Sequence, residues 1–136
     1  MDRNGGINNL YVVDTHALFW YLVGSPKLSD LGRQVFQQAF AGEATLILSP
    51  SVLLELYGVI RKARAPIDFA AELMLFERSP FHIEPITVDD LRLLDRLDAI
   101  PELHDRLIAA VALRIGAPIL TCDPLIRECP GVSCIW

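Results

Sequence analysis

Five short apolar runs, the first four parted from one another by stretches of helical character, constrain this chain more than any other feature. The first, Leu10-Tyr11-Val12-Val13, is apolar, half β-branched and stopped by Asp14, which predicts a short buried strand. The runs at 45–48, 81–86, 117–120 and 132–136 read the same way, and Pro85 puts the third at a sheet edge or a strand end. Helices are expected over 16–23, 30–41, 51–63, 67–77, 88–97 and 105–115, closed by signals such as Gly24-Ser25-Pro26 and Gly116. Thr87, with Asp90 three residues on, is a cap for the fifth of these. Strands joined through helices pair in parallel. Because the runs are apolar on both faces, helices must cover the sheet on each side. The expected fold is a three-layer α/β/α domain around a short, mainly parallel five-stranded sheet.

With 136 residues, 52% of them apolar and 21% charged, the chain is long enough for one self-sufficient core, and no linker composition divides it. Residues 1–9, MDRNGGINN, read as a flexible leader ahead of a domain at 10–136. The most apolar early stretch is broken by Asp14 and His16 and is too short for a bilayer helix, so no membrane role is expected. Cys122, Cys129 and Cys134 make an odd count, which suits reduced thiols in a cytoplasmic protein. A net charge of −5 argues against holding nucleic acid by charge alone. It leaves open a nucleic-acid enzyme in which metal ions in a carboxylate cluster reverse the local sign.

Four acidic residues stand at the start of, or within, otherwise apolar elements. Asp14 ends the first strand and Asp123 stands just beyond the fourth, on the edge where open α/β sheets bind ligands. Each also has a plain structural reading, Asp14 as a helix cap and Asp123-Pro124 as a turn. Glu55 lies in Val52-Leu53-Leu54-Glu55-Leu56-Tyr57-Gly58-Val59-Ile60, apolar nearly all round, so burial is expected. No cation stands three or four residues from it; Lys62, two turns on, is the alternative structural partner. Asp105 opens the uniformly apolar 107–113 helix, where it would serve as an ordinary N-cap. Together the four suit metal-ion hydrolysis of a phosphodiester, since hard divalent ions such as Mg²⁺ or Mn²⁺ relieve the repulsion among clustered carboxylates. There is no Walker-type loop and no Rossmann glycine triplet. His16, His104 and Cys122 lack zinc-site spacing. His104 reads as a partner of Asp105 or as a helix-entry residue.

The segments YVVDTHALFWYL, SPSVLLELYGVI, ELHDRLIAAVALRIGAPILTCD and VSCIW, in order and at domain-like spacing, resemble the PIN-domain ribonucleases, and among them the VapC-type toxins of bacterial toxin–antitoxin pairs. The resemblance implies that Asp14, Glu55, Asp105 and Asp123 bind Mg²⁺ or Mn²⁺ and carry RNA hydrolysis. It places Thr15 and Thr121 beside the acids as supporting or substrate-contacting hydroxyls, and Arg106 as an ion-pair or substrate residue. It further implies a homodimer and a cognate antitoxin that lays an apolar segment along a groove toward the acidic pocket. Tyr11, Phe19, Trp20 and Tyr57 are expected mostly in the core, with Arg61, Lys62, Arg64 and Arg106 as candidates for a basic rim. Relatives often carry a further Asp shortly before the Asp-Arg pair; here that stretch is Pro101-Glu102-Leu103-His104. The competing reading is a catalytically inactive PIN-like or receiver-like binding module. A receiver needs a lysine at a late strand end, and the only lysines are Lys27 and Lys62.

Overall fold

A computed structural model describes residues 9–136. The expected leader lies outside the described residues except for Asn9, which opens the first strand.

The apolar runs form the strands β1 (Asn9–Val13), β2 (Ala44–Leu48), β3 (Phe81–Ile83), β4 (Ile119–Leu120) and β5 (Cys134–Ile135). They make one sheet in the order β3-β2-β1-β4-β5. Every neighbouring pair is parallel, with Val12 opposite both Ile47 and Ile119. The connecting helices are α1 (Thr15–Val23), α2 (Asp30–Phe40), α3 (Pro50–Ala63), α4 (Phe69–Phe76), α5 (Val88–Arg92), α6 (Leu103–Ile115) and α7 (Pro124–Arg127). Val12, Val13, Leu46, Leu48, Ile119 and Leu120 are fully buried, as strands covered on both faces must be. α1 packs on α3 and α3 on α6.

This order places the site. From β1 the chain moves outward through β2 and β3, then returns to the other side of β1 for β4 and β5. The reversal between β1 and β4 is a topological switch point, where connections leave in opposite directions and open a crevice beyond the strand ends. Asp14 follows β1 directly, and Thr121 follows β4 directly.

Several elements differ from the sequence reading. The third strand stops at Ile83 instead of running to 86, and it lies at the sheet edge, as Pro85 suggested. The helix expected over 88–97 is α5 followed by a 3-10 turn at Leu94–Leu97. The turn puts Leu94 and Leu97 on one face, and Leu97, like Ile100 just beyond it, is buried. α7 was not anticipated; Pro124 starts it at the position where a missing N–H costs nothing. The expected cap on α5 is present as a reciprocal pair between Thr87 and Asp90. Asp90 is also fully buried and paired with Arg114 of α6, which bonds Glu84 at 3.0 Å as well. Burial acts to raise the Asp90 carboxyl, but the Arg114 and Thr87 hydrogen bonds outweigh it and hold it below its ordinary value.

Candidate metal centre

Asp14 is fixed from three sides. Its N–H still belongs to the ladder and donates to the Leu120 carbonyl at 3.1 Å, so the residue leaves β1 in an extended conformation. Its Oδ1 accepts the Thr15 N–H at 2.7 Å, which makes it the N-cap of α1. Its Oδ2 accepts the Thr121 hydroxyl at 2.6 Å. Only 7% of Asp14 is exposed. Burial pushes its carboxyl above 3.8; the Thr121 and Thr15 bonds pull it back in part, and Glu55 adds to the rise.

Thr121 is fully buried and its roles are directional. The hydroxyl gives its proton to Asp14 and accepts the Asp123 N–H at 3.1 Å. One side chain thus ties the ends of β1 and β4 together and sets the backbone of Asp123. Asp123 caps α7 by accepting the Leu125 N–H at 2.9 Å. The capping roles considered for Asp14 and Asp123 are therefore real, and each leaves the carboxylate on the cavity wall.

Glu55 comes from the second turn of α3 and accepts the Thr15 hydroxyl at 2.6 Å. The expectation that most of this helix is buried is corrected. Ser51, Val52, Leu53, Leu56 and Ile60 are buried, whereas Leu54 is 65% and Tyr57 44% exposed. Glu55 lies on the boundary between these faces, half-buried. Among the described residues it makes no ion pair with Lys62, which is exposed.

Asp105 departs most from its sequence reading. α6 begins two residues earlier, at Leu103, and its N-cap is Glu102, whose Oε1 accepts the Asp105 N–H at 3.0 Å. Because Glu102 takes the capping duty, the Asp105 carboxylate has no cap to satisfy and accepts no hydrogen bond from the described residues. It is half-buried, and its pKa is pushed up from 3.8 to about 7 by burial first, then by Asp14, Asp123, Glu102 and Glu55 in turn. No cation offsets them among the leading influences.

Of the remaining candidates, His104, Arg106, Arg61, Lys62 and Arg64 are not among the residues that line the acidic cavity. His104 bonds Ser51 Oγ at 2.8 Å and so ties α6 to α3, which corrects the reading of it as a partner of Asp105. Arg106 donates from Nε to the Ile100 carbonyl and holds the loop before α6. Arg61, Lys62 and Arg64 lie exposed toward the end of α3. Tyr11, Phe19 and Trp20 pack partly against the core, while Tyr57 is on the surface.

Asp14, Glu55, Asp105 and Asp123 line one cavity of about 340 Å³, with His16, Trp20 and Cys122 on its walls. Sequence reasoning passed over His16 and Trp20 as site residues; the available signal was their place on the helix that Asp14 opens. The Cys122 thiol is pushed up by burial, then by Asp14, and so is held in its protonated form. In donor chemistry and charge the cavity fits a hard divalent cation: four carboxylates, mutual repulsion and no Lys or Arg on the wall, with His16 the one basic side chain, a minor influence that lowers Asp14. As placed, no three His, Cys, Asp or Glu side chains among the described residues are grouped to hold an ion. The carboxylates would have to draw together, and two of them are already hydrogen-bonded, Glu55 by the Thr15 hydroxyl and Asp14 by that of Thr121.

Residues 11–131 match the family model described as the PIN domain. Solved structures similar in fold include VapBC2 from Rickettsia felis bound to a DNA fragment from its promoter (TM-score 0.71, 19% identity, 93% of this chain and 98% of that one). A toxin–antitoxin complex from Klebsiella pneumoniae aligns with TM-score 0.66 and 19% identity over 90% of this chain and 95% of that one. VapC20 of Mycobacterium tuberculosis, described as a sarcin-ricin loop cleaving toxin, aligns with TM-score 0.59 and 18% identity over 84% and 90%. No curated protein sequence matches it at a significant level.

Proposed function

From a chain that belongs to the PIN-domain family, we propose a metal-dependent endoribonuclease of the VapC toxin type, which hydrolyses RNA phosphodiester bonds. Asp14, Glu55, Asp105 and Asp123 are the proposed ligands of Mg²⁺ or Mn²⁺. The observation that carries this reading is a cavity lined by four carboxylates and by no Lys or Arg, in which Asp105 is pushed up to about 7. A structural cluster would neutralise itself with basic side chains, because uncompensated charge in a half-buried site costs free energy. Strongly perturbed groups that converge in a cleft mark functional sites more often than structural ones.

When bound, the ion would supply hydroxide near neutral pH and charge stabilisation at the reacting phosphate. The chain's own residues do the rest. Thr121 keeps Asp14 oriented and ionisable by donating to Oδ2, and through the Asp123 N–H it couples the two strand-end acids. Thr15 orients Glu55 by donating its hydroxyl to Oε1. Glu102 keeps Asp105 free of the helix end. The cavity lies on the carboxyl edge of the sheet, where a phosphate backbone can approach from solvent.

We propose two partners: a cognate antitoxin, which the likeness to VapBC assemblies supports, and a second copy of this chain in a homodimer. An apolar groove of about 550 Å³ between α1 and α2, lined by Tyr21, Leu28, Phe36 and Phe40, suits an antitoxin's apolar segment. Trp20 borders both that groove and the acidic cavity, so a segment in one reaches the other. No helix among the described residues is long and apolar enough to cross a membrane, and the three cysteines are unpaired. The unpaired thiols support a cytoplasmic setting.

The test is RNA cleavage with Mg²⁺ or Mn²⁺, with EDTA, and in Asp14→Ala and Asp105→Ala. Cleavage should vanish in the last three conditions. Equal activity in all of them would refute the nuclease and favour an inactive PIN-like or receiver-like binding module. A receiver-like site is already at odds with the end of β4, where Thr121-Cys122-Asp123 carries no lysine.

A further inference from the structure

Two aromatic side chains on the cavity wall are not needed to hold a cation. His16 projects from the first turn of α1 and is exposed, and it lines the cavity with the acids. Its imidazole leans on the Trp20 indole, with centroids 5.7 Å apart and planes at 50°. Trp20 is itself held in place. Trp136 meets it edge-on at 5.8 Å, and Lys27 Nζ lies 5.9 Å from its ring centroid. His16 is thus the solvent-facing member of a braced group of rings, at the mouth of an acidic pocket.

An RNA strand approaching that pocket gains nothing from the chain's net charge of −5. Its bases, unlike its phosphates, are not repelled, and unpaired bases bind by stacking on aromatic and histidine faces. We propose that the His16 imidazole, backed by Trp20, is the face on which the unpaired base beside the scissile phosphate stacks. This rests on the nuclease reading above and adds to it a preference for single-stranded, base-bearing RNA. Trp20 is a positioning residue in this arrangement, because it acts through His16.

The probes are a random-sequence 2′-O-methyl oligoribonucleotide about ten nucleotides long and its fully abasic counterpart, each bound to wild type, His16→Ala and His16→Phe and read by fluorescence anisotropy. Phe keeps a flat ring face and has no nitrogen to ligate metal or carry a proton. Wild type and His16→Phe should bind the base-bearing strand alike; His16→Ala should bind it about 5- to 150-fold more weakly, the range of one lost base stack. All three should bind the abasic strand equally, and all three should give the same heat with Mn²⁺. His16→Phe as weak as His16→Ala would assign the role to the ring nitrogens and overturn the proposal. So would His16→Ala binding both strands as wild type does while wild type still cuts unmodified RNA. If wild type neither bound the strands nor cut RNA, the nuclease reading itself would fall.

Discussion

Asp105→Asn should make the metal-free protein more stable, and by an amount that depends on pH. The Asp105 carboxyl climbs from 3.8 to about 7 on folding. At about 1.4 kcal/mol for each step of one in pKa, that climb corresponds to ~4 kcal/mol. The side chain is half-buried, and solvent screening reduces the figure to ~2 kcal/mol. A carboxyl whose pKa rises on folding binds its proton more tightly in the folded state. Below 3.8 it is therefore neutral in both states and costs nothing. As pH climbs from 3.8 the unfolded chain ionises freely, the folded one only at a cost, and the full penalty is in place above about 7. Asparagine removes it. In a domain of this size 1 kcal/mol moves Tm by about 3 °C, so the variant should melt about 6 °C above wild type at pH 8 in EDTA. The gap should close as the pH is lowered to about 4. Saturating Mn²⁺ should reverse the order, since wild type gains about 2.7 kcal/mol at a hundredfold excess over Kd while the variant has lost a ligand. Scanning calorimetry at several pH values measures all of this. Identical Tm values across the range, or a variant less stable at pH 8, would refute the shared field of the four acids.

Thr121→Val keeps the shape of its fully buried site and removes the hydroxyl that serves Asp14 and Asp123. It should cost ~1–3 kcal/mol in urea unfolding, the desolvation penalty of groups left unpaired. With that hydrogen bond gone the Asp14 carboxyl rises further, so the acid limb of the RNA-cleavage pH profile should move to higher pH. Arg114→Met strands the buried Asp90 carboxylate and should destabilise the fold by ~3–5 kcal/mol at pH 7. Asp90 is held below its ordinary value, so its contribution is present above 3.8 and lost as pH falls below it. The difference between variant and wild type in urea midpoint should shrink accordingly between pH 5 and pH 3.

The parts of the fold legible in the sequence are those set by local pattern. The buried strands around Val12 and Ile47, the reciprocal cap of Thr87 and Asp90, and the edge position announced by Pro85 all depend on neighbours within a few residues. Asp14 was legible for the same reason, because a strand end and a helix cap coincide in one residue. What was illegible depends on contacts across the fold. Leu54 and Tyr57 carry the letters of a core, yet Leu54 is mostly exposed and Tyr57 meets Phe69 and Arg61 at the surface, so the helix of Glu55 is two-faced. Glutamate is a poor cap by preference, and its choice over Asp105 as the start of α6 follows from where the loop after Ile100 delivers the chain. The link between Ser51 and His104 joins residues 53 apart in sequence and has no local signal. In each case, where the side chain points matters more than its type.

The claim on which the account turns is that Asp14, Glu55, Asp105 and Asp123 form a single site for one class of ion. Calorimetric titration of EDTA-stripped protein with Mn²⁺ measures this directly. Wild type should give saturable heat, with an affinity that falls as the pH drops and the ligands protonate. Asp14→Asn and Asp105→Asn should each abolish or sharply weaken it while the protein stays folded. Wild type giving no heat, or both variants titrating as wild type does, would contradict the shared site.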